Sequence, residues 1–128
     1  MPINIDLEEV DDKRLAKVAF NTFFNIVERW SLTEETIIIL LGNPRSSQFE
    51  IWKKGGALEI DSSTLTRVSL VIGIYKALHS LFEDSEQADT WLHRPNQMFE
   101  NKPALISLCS GELEEMYALR RYLDNQIY

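Results

Sequence analysis

The sequence has few of the residues that most often cross-link or interrupt small proteins. Its 128 residues include one cysteine, five glycines and four prolines. With Cys109 alone, no intramolecular disulfide is possible, which is typical of a protein from a reducing compartment. A chain of this length buries enough apolar surface to fold without a metal or a disulfide.

Targeting signals and long apolar runs are also lacking. The N-terminal stretch MPINIDLEEVDD has no basic region followed by an apolar one, so no secretory signal is predicted. The most apolar run, residues 68–81, is interrupted by polar side chains and is too short to span a bilayer. We therefore predict a cytoplasmic protein without a membrane segment.

The residue sets of common catalytic and metal sites are missing too. His79 and His93 are fourteen positions apart with no cysteine nearby, which disfavours a metal site. Glu112, Glu114 and Glu115 stand at the start of a predicted helix, where the helix dipole favours negative charge. With no nucleophile–base pair and no glycine-rich phosphate loop, we expect a non-enzymatic protein with no catalytic residue, metal or cofactor.

The distribution of charge gives the first indication of which kind of partner the protein binds. The net charge is −7, and it is uneven: residues 1–58 carry 9 acidic and 7 basic side chains (net −2), whereas residues 59–128 carry 11 and 6 (net −5). A field of this sign repels nucleic acid, so any DNA contact must come from a local patch. The balance favours a basic partner.

Apolar residues recur every three or four positions, and the strict alternation of β-strands is missing, so we predict an all-α fold. The first helix is expected from Asp11 or Asp12 to about Glu28. Its predicted core face consists of Leu15, Val18, Ala19, Phe23, Ile26 and Trp30.

The next stretch has the layout of a helix-turn-helix. Ser31 with Glu34 fits a capping box, Gly42 ends the first short helix, and Phe49 and Trp52 face inward from the second. Two short helices around a glycine-containing turn, with a basic end, are typical of this DNA-binding unit.

Gly55-Gly56 is the best candidate for a linker. The predicted organisation is an N-terminal arm (residues 1–12), a helix-turn-helix domain (13–58) and a small helical domain (59–128). The helix from Asp61 or Ser62 to about residue 82 is apolar on almost every side, so it is predicted to be central to that domain. Ser69 and Gly73 lie on its narrow polar stripe and are expected to allow a close backbone approach at a subunit interface.

Residues 89–108, DTWLHRPNQMFENKPALISL, are predicted to form a turn between two short helices. Trp91 and Phe99 would be its apolar anchors, and Asn96 would bond its own backbone. Pro103 suits the first position of a short helix.

The last helix, predicted over residues 112–125 or beyond, has an apolar side with Arg120 in its middle. The residues predicted on that side are Leu113, Met116, Tyr117, Leu123 and Ile127. The residues leave two interpretations open. Arg120 pairs with Asp124 one turn on, or Arg120 or Arg121 reaches into a phosphate- or carboxylate-binding pocket of a partner. Tyr128 is either frayed chain or an interface anchor.

The start of the second short helix provides candidate DNA contacts. Four side chains at its N-terminal end and two at its flank are placed to meet phosphates and base edges: Arg45, Ser46, Ser47, Gln48, Lys53 and Lys54. Against this, Glu50 lies on the same outward face and residues 30–58 sum to zero charge, so DNA binding is left open.

Five motifs in order over about sixty residues carry a family resemblance. They are R-x-S-x-x-x-G-I-Y-K-A-L from Arg67, W-L-x-x-P-N-x-x-F from Trp91, P-A-L-I from Pro103, Ser110-Gly111, and R-R-Y-L-D from Arg120. This part resembles the toxin-binding domain of the MbcA/ParS/Xre antitoxins. The N-terminal half is similar to that family's Xre-like helix-turn-helix, most clearly at Leu40-Leu41-Gly42 and Trp52.

The resemblance implies the antitoxin of a type II toxin–antitoxin pair. Its partner would be a RES-domain toxin, an enzyme that degrades NAD, with operator DNA as a second candidate partner and a homodimer as the expected assembly. The residues expected to bind the toxin are Arg120, Arg121, Tyr122, Asp124, Gln126, Ile127 and Tyr128. The alternative is a stand-alone DNA-binding regulator or scaffold without a toxin partner.

Overall fold

The computed structural model describes the backbone of residues 2–56 and 60–127, and the side chains of residues 14–56 and 60–126. The fold is all-α, as predicted, with one two-residue antiparallel bridge. The seven helices within these residues are α1 (Pro2–Arg29), α2 (Glu34–Leu40), α3 (Ser46–Lys53), α4 (Ser62–Leu81), α5 (Ser85–Thr90), α6 (Leu105–Cys109) and α7 (Leu113–Ile127).

Helix α1 is longer than its sequence predicts. It begins at Pro2 rather than near Asp11 or Asp12, so the predicted start of this helix was wrong. Its buried side chains are Phe20, Phe23, Ile26 and Val27, with Trp30 just beyond its end. The predicted core positions Leu15 and Val18 are 65% and 55% exposed. The apolar side of α1 extends further toward its N-terminus than the part of the helix that packs against other helices. The spacing of apolar residues predicts which side of a helix is buried, but not how many turns are buried.

The two short helices and the glycine turn predicted for the helix-turn-helix are present as α2, Gly42 and α3, although α2 begins differently from the prediction. The N-cap of α2 is Thr33, whose hydroxyl accepts a hydrogen bond from the Thr36 N–H at 3.2 Å. Ser31, predicted as the cap, instead has a φ of 55° in the preceding turn. Gly42, with a φ of +88°, follows α2 as predicted. Phe49 and Trp52 of α3 are buried, which confirms their inward orientation.

Helix α4 is the centre of the structure. It begins after Asp61 and ends at Leu81, within one residue of its predicted bounds. It packs most extensively against α7, then against α1 and α5, because its apolar side chains point in nearly all directions. None of the helices in the described part of the chain combines the length and hydropathy needed to cross a membrane.

The two predicted domains share one hydrophobic core. A single cluster of buried side chains runs from Phe20 in α1 through Trp52 in α3 and Ile74 in α4 to Leu123 in α7. Arg67 of α4 also reaches the helix-turn-helix, where its Nη1 lies 3.5 Å from the carbonyl oxygen of Leu40. The helix-turn-helix is therefore packed onto the C-terminal helices rather than tethered to them.

The segment after α5 is held by its own backbone. Pro95–Asn96 pairs antiparallel with Lys102–Pro103, and Asn96 Oδ1 accepts a hydrogen bond from the Met98 N–H at 2.9 Å, as predicted for that asparagine. Pro103 belongs to this bridge, so its prediction as the first residue of a helix was wrong; α6 begins two residues later. Pro103 is extended because residues 102–103 pair with residues 95–96. This pairing cannot be inferred from the residues next to Pro103.

The N-cap of α4 yields a stability prediction. Asp61 Oδ1 accepts a hydrogen bond from the Thr64 N–H at 2.7 Å. Asp61→Ala should lower the free energy of unfolding by about 1 kcal/mol at neutral pH, whereas Asp61→Asn keeps a capping oxygen and should lose much less. Urea denaturation of the three proteins measures both differences.

The same cap should depend on pH. Hydrogen bonds from the side chain and backbone of Thr64 hold the pKa of Asp61 below its ordinary value of 3.8. A lowered folded-state pKa means that the stabilisation is present above pH 3.8 and is lost as the pH falls through the folded-state value. The difference between wild type and Asp61→Ala should therefore narrow in acid; a constant difference would contradict this assignment.

Candidate functional site

Helix α7 lies along α4 and offers its outer side to solvent. Its buried side chains are Met116, Leu119 and Leu123. Met116 and Leu123 were predicted on this apolar side, and Leu119 was missed. Tyr117, also predicted there, is 41% exposed at the edge of the contact.

Arg120 faces α4 and does not extend away from the protein. Its Nε donates to both carboxylate oxygens of Asp124, at 3.2 and 3.0 Å. The intrahelical pair proposed from the sequence is therefore confirmed. The guanidinium lies on the backbone of Gly73, where a Cβ would overlap Nη1 and Cζ of the arginine. The close approach expected at Gly73 is thus made by a side chain of the same molecule, and not by a second subunit.

The other predicted toxin-binding residues divide by exposure. Arg121 and Gln126 are exposed, and within the described residues Arg121 makes no hydrogen bond or ion pair. Tyr122 is half-buried, and its carbonyl oxygen accepts a 3.5 Å hydrogen bond from Gln126 Nε2. The side chain of Ile127 and all of Tyr128 lie outside the described residues.

A chain of aromatic rings connects the segment of residues 89–108 to α7. The ring of Phe99 meets Trp91 edge-on at 6.2 Å and Tyr122 edge-on at 5.4 Å. Such edge-to-face pairs stabilise by more than their buried area. These contacts confirm Trp91 and Phe99 as apolar anchors. Through Phe99, the segment of residues 89–108 packs against the last turns of α7 and stabilises them.

An open groove of about 400 Å³ lies beside α7, between it and α4. Leu65 and Tyr117, 38% and 41% exposed, are the large apolar residues that it exposes to solvent, and Arg120 also lines it. The sequence did not identify this groove, because Leu65 belongs to a helix that is apolar almost all round. Only the position of α7 determines which side of α4 remains open.

The predicted DNA-contacting residues fall at the two ends of α3. Arg45, Ser46 and Ser47 are exposed at its N-terminal end, and Gln48 is half-buried. Lys53, at the opposite end about 12 Å away, is paired with Glu34 of α2 at 3.1 Å, and Lys54 is exposed. The structure therefore brings three of the six predicted residues together on one exposed end and commits Lys53 to a contact within the protein.

The two histidines have structural partners. His79 Nε2 lies 2.9 Å from Asp89 Oδ1, linking α4 to α5, and His93 Nε2 lies 2.6 Å from the carbonyl oxygen of Trp30. In the part of the chain that the structure describes, no group of three or more histidine, cysteine or carboxylate residues is arranged to hold a metal ion.

The region that contains the aromatic chain and α7 matches a known family. Residues 77–127 match the model of the antitoxin Xre/MbcA/ParS C-terminal toxin-binding domain. The chain belongs to this antitoxin family. The match begins near the end of α4 and runs to the end of α7, so the family's toxin-binding domain coincides with the helices that surround Phe99.

Two curated relatives extend the comparison. A protein of Sinorhizobium fredii named "Uncharacterized protein y4oB" is 40% identical over 116 residues, covering 90% of this antitoxin and 88% of the relative. Human ADP-ribosylation factor-like protein 4A is 29% identical over 117 residues, covering 82% of this chain but 58% of that protein.

Removal of the central aromatic ring should loosen α7. Phe99→Ala should lower the free energy of unfolding by about 2 kcal/mol, less than the loss for a fully buried phenylalanine because the ring is half-buried. The neighbouring Met98 is 69% exposed, so Met98→Ala should change stability by no more than about 0.5 kcal/mol. Urea denaturation measures both, and equal effects of the two variants would contradict the role given to Phe99.

Proposed function

We propose that this protein neutralises a RES-domain, NAD-degrading toxin as the antitoxin of a type II pair. It would act in the cytoplasm as a non-enzymatic protein that binds its toxin and covers the active-site cleft. The main support for this proposal is the match of residues 77–127 to the family's toxin-binding domain. Within that domain, one side of α7 is buried against the core and the opposite side is exposed to solvent.

The outer side of α7 is the proposed contact surface. Arg121 is exposed there, and the half-exposed Tyr117, one turn earlier on the same side, offers an aromatic ring beside it. Gln126, also exposed, lies at the end of the helix on another side. Aromatic and arginine side chains are enriched among the residues that dominate protein–protein binding. The net charge of −5 over residues 59–128 favours a basic region around the toxin's cleft, and Arg121, as a positive charge, is proposed to meet an acidic or hydrogen-bond-accepting group at the edge of that region.

A pull-down combined with an activity assay tests this proposal. The RES-type product of the neighbouring reading frame would carry the tag, and NAD loss would be followed with and without added antitoxin. Wild-type antitoxin should co-purify and stop NAD consumption. Arg121→Glu should weaken binding about tenfold or more, equivalent to about 1.4 kcal/mol, because it reverses an exposed charge in the proposed interface.

Arg45→Glu is the matched control, since it makes the same charge change on exposed α3 and should bind like wild type. If wild-type antitoxin neither binds this toxin nor slows NAD loss, the proposed function is wrong for this pair. If Arg45→Glu weakens binding as much as Arg121→Glu, the contact surface is not on α7.

A second function, operator binding, is supported by the helix-turn-helix geometry. Arg45, Ser46 and Ser47 are exposed at the N-terminal end of α3, where backbone N–H groups and the helix dipole favour phosphate. Helix-turn-helix proteins read paired half-sites as dimers, so we include a homodimer in this proposal. A protein with DNA binding but no toxin partner would be the stand-alone regulator.

DNA binding can be tested by comparing two basic residues on the same helix. Arg45→Ala should weaken binding to the upstream operator fragment and reduce the slope of log affinity against log salt by about 1, because one phosphate contact is lost. Lys53→Ala should have a smaller effect, since Glu34 already pairs with that lysine. Equal losses, or no binding by wild type at low salt, would contradict the proposal.

A further inference from the structure

A glycine lies in the middle of the helix on which the whole structure is packed. Gly73 is buried within α4, on the side that faces α7. Glycine in a helix interior is destabilising relative to alanine. No turn requires it here, because the helix continues for eight residues beyond it to Leu81. Its presence therefore needs a reason outside the helix.

The reason is the guanidinium of Arg120. A Cβ at residue 73 would overlap Nη1 and Cζ of Arg120 and would lie 3.2 Å from its Nε. The same guanidinium is oriented from the other side by Asp124, whose two oxygens both accept from Nε. Arg120 therefore fills the space beside Gly73 on α4, and its pairing with Asp124 holds the guanidinium in that place.

The narrow polar stripe of α4, which contains Ser69 and Gly73, is not exposed to solvent along its whole length. Ser69, one turn before Gly73, is exposed and lines the open groove. Gly73 is covered by Arg120. The two positions look alike in the sequence but differ in their surroundings: Gly73 is covered by a side chain of α7, whereas Ser69 stays exposed.

We propose that Gly73 is a positioning residue for toxin binding, acting through Arg120. It is covered within the molecule, so it would not touch the toxin. A side chain at position 73 would displace the guanidinium from α4, disturb its pairing with Asp124 and shift α7. Arg121 and Gln126, which lie on α7, would shift with it. This inference rests on the proposed function for its effect on the toxin, but its effect on α7 is independent of any partner.

The first test is a double-mutant cycle on the free protein. Gly73→Ala should lower the melting temperature by about 5 °C, because overpacking outweighs the gain in helix propensity. Gly73→Ala/Arg120→Ala should melt close to Arg120→Ala alone, because the methyl group then enters space that the guanidinium has left. Ser69→Ala, at an exposed position of the same stripe, should melt like wild type.

The second test uses the tagged RES-type toxin. Gly73→Ala should bind it about tenfold more weakly than wild type and Ser69→Ala equally well. At a temperature where all variants are fully folded, a double variant that binds as tightly as Arg120→Ala alone, with no further loss from Gly73→Ala, would show that position 73 acts through Arg120.

Several results would overturn the inference. A higher melting temperature for Gly73→Ala, or additive losses in the double variant, would mean that Arg120 does not determine the effect of position 73. A less stable Gly73→Ala with unchanged toxin affinity would mean that the contact does not position the binding surface. If wild type binds no toxin, the proposed function is wrong for this pair. The double-mutant cycle on melting temperature would still show whether Gly73 positions α7, because it needs no toxin.

Discussion

The packing of α4 is the constraint on which the rest of the structure depends. This helix is apolar on nearly all sides, so it is stable only when other helices cover it. Helices α1, α5 and α7 provide that cover. Because α7 is the last of them and bears the proposed toxin-binding side, the element that completes the core is also the element that presents the site.

The same packing joins the two halves of the antitoxin. Arg67 of α4 lies against Gly42, in the turn of the helix-turn-helix, and its Nη1 lies 3.9 Å from Met116 Sδ on α7. Gly111, just before α7, contacts Ile39 of α2. The helix-turn-helix and the toxin-binding domain therefore share a core and these bridging contacts.

Local sequence was sufficient for some elements and not for others. The cap at Asp61 and the bounds of α4 follow from a polar residue before a long apolar run, so they could be predicted. The exposure of Leu15 could not, because burial depends on which helices lie alongside. The same holds for Pro103, whose bridge needs a partner eight residues earlier.

The candidate site shows the same division. The sequence identified α7, the Arg120–Asp124 pair and the aromatic anchors, since these depend on helical spacing and on motifs. It did not reveal that Arg120 lies on Gly73, because this contact joins positions 47 residues apart through the packing of two helices. The groove beside Leu65 was missed for the same reason.

Hydrogen exchange of the antitoxin, alone and with its RES-type toxin, would show whether the toxin binds α7. Amides buried or ordered by the partner exchange more slowly in the complex. We predict slower exchange along α7 and in residues 97–103, which the Phe99 ring links to it, with little change in α2 and α3. Slower exchange confined to the helix-turn-helix, with α7 unchanged, would contradict it.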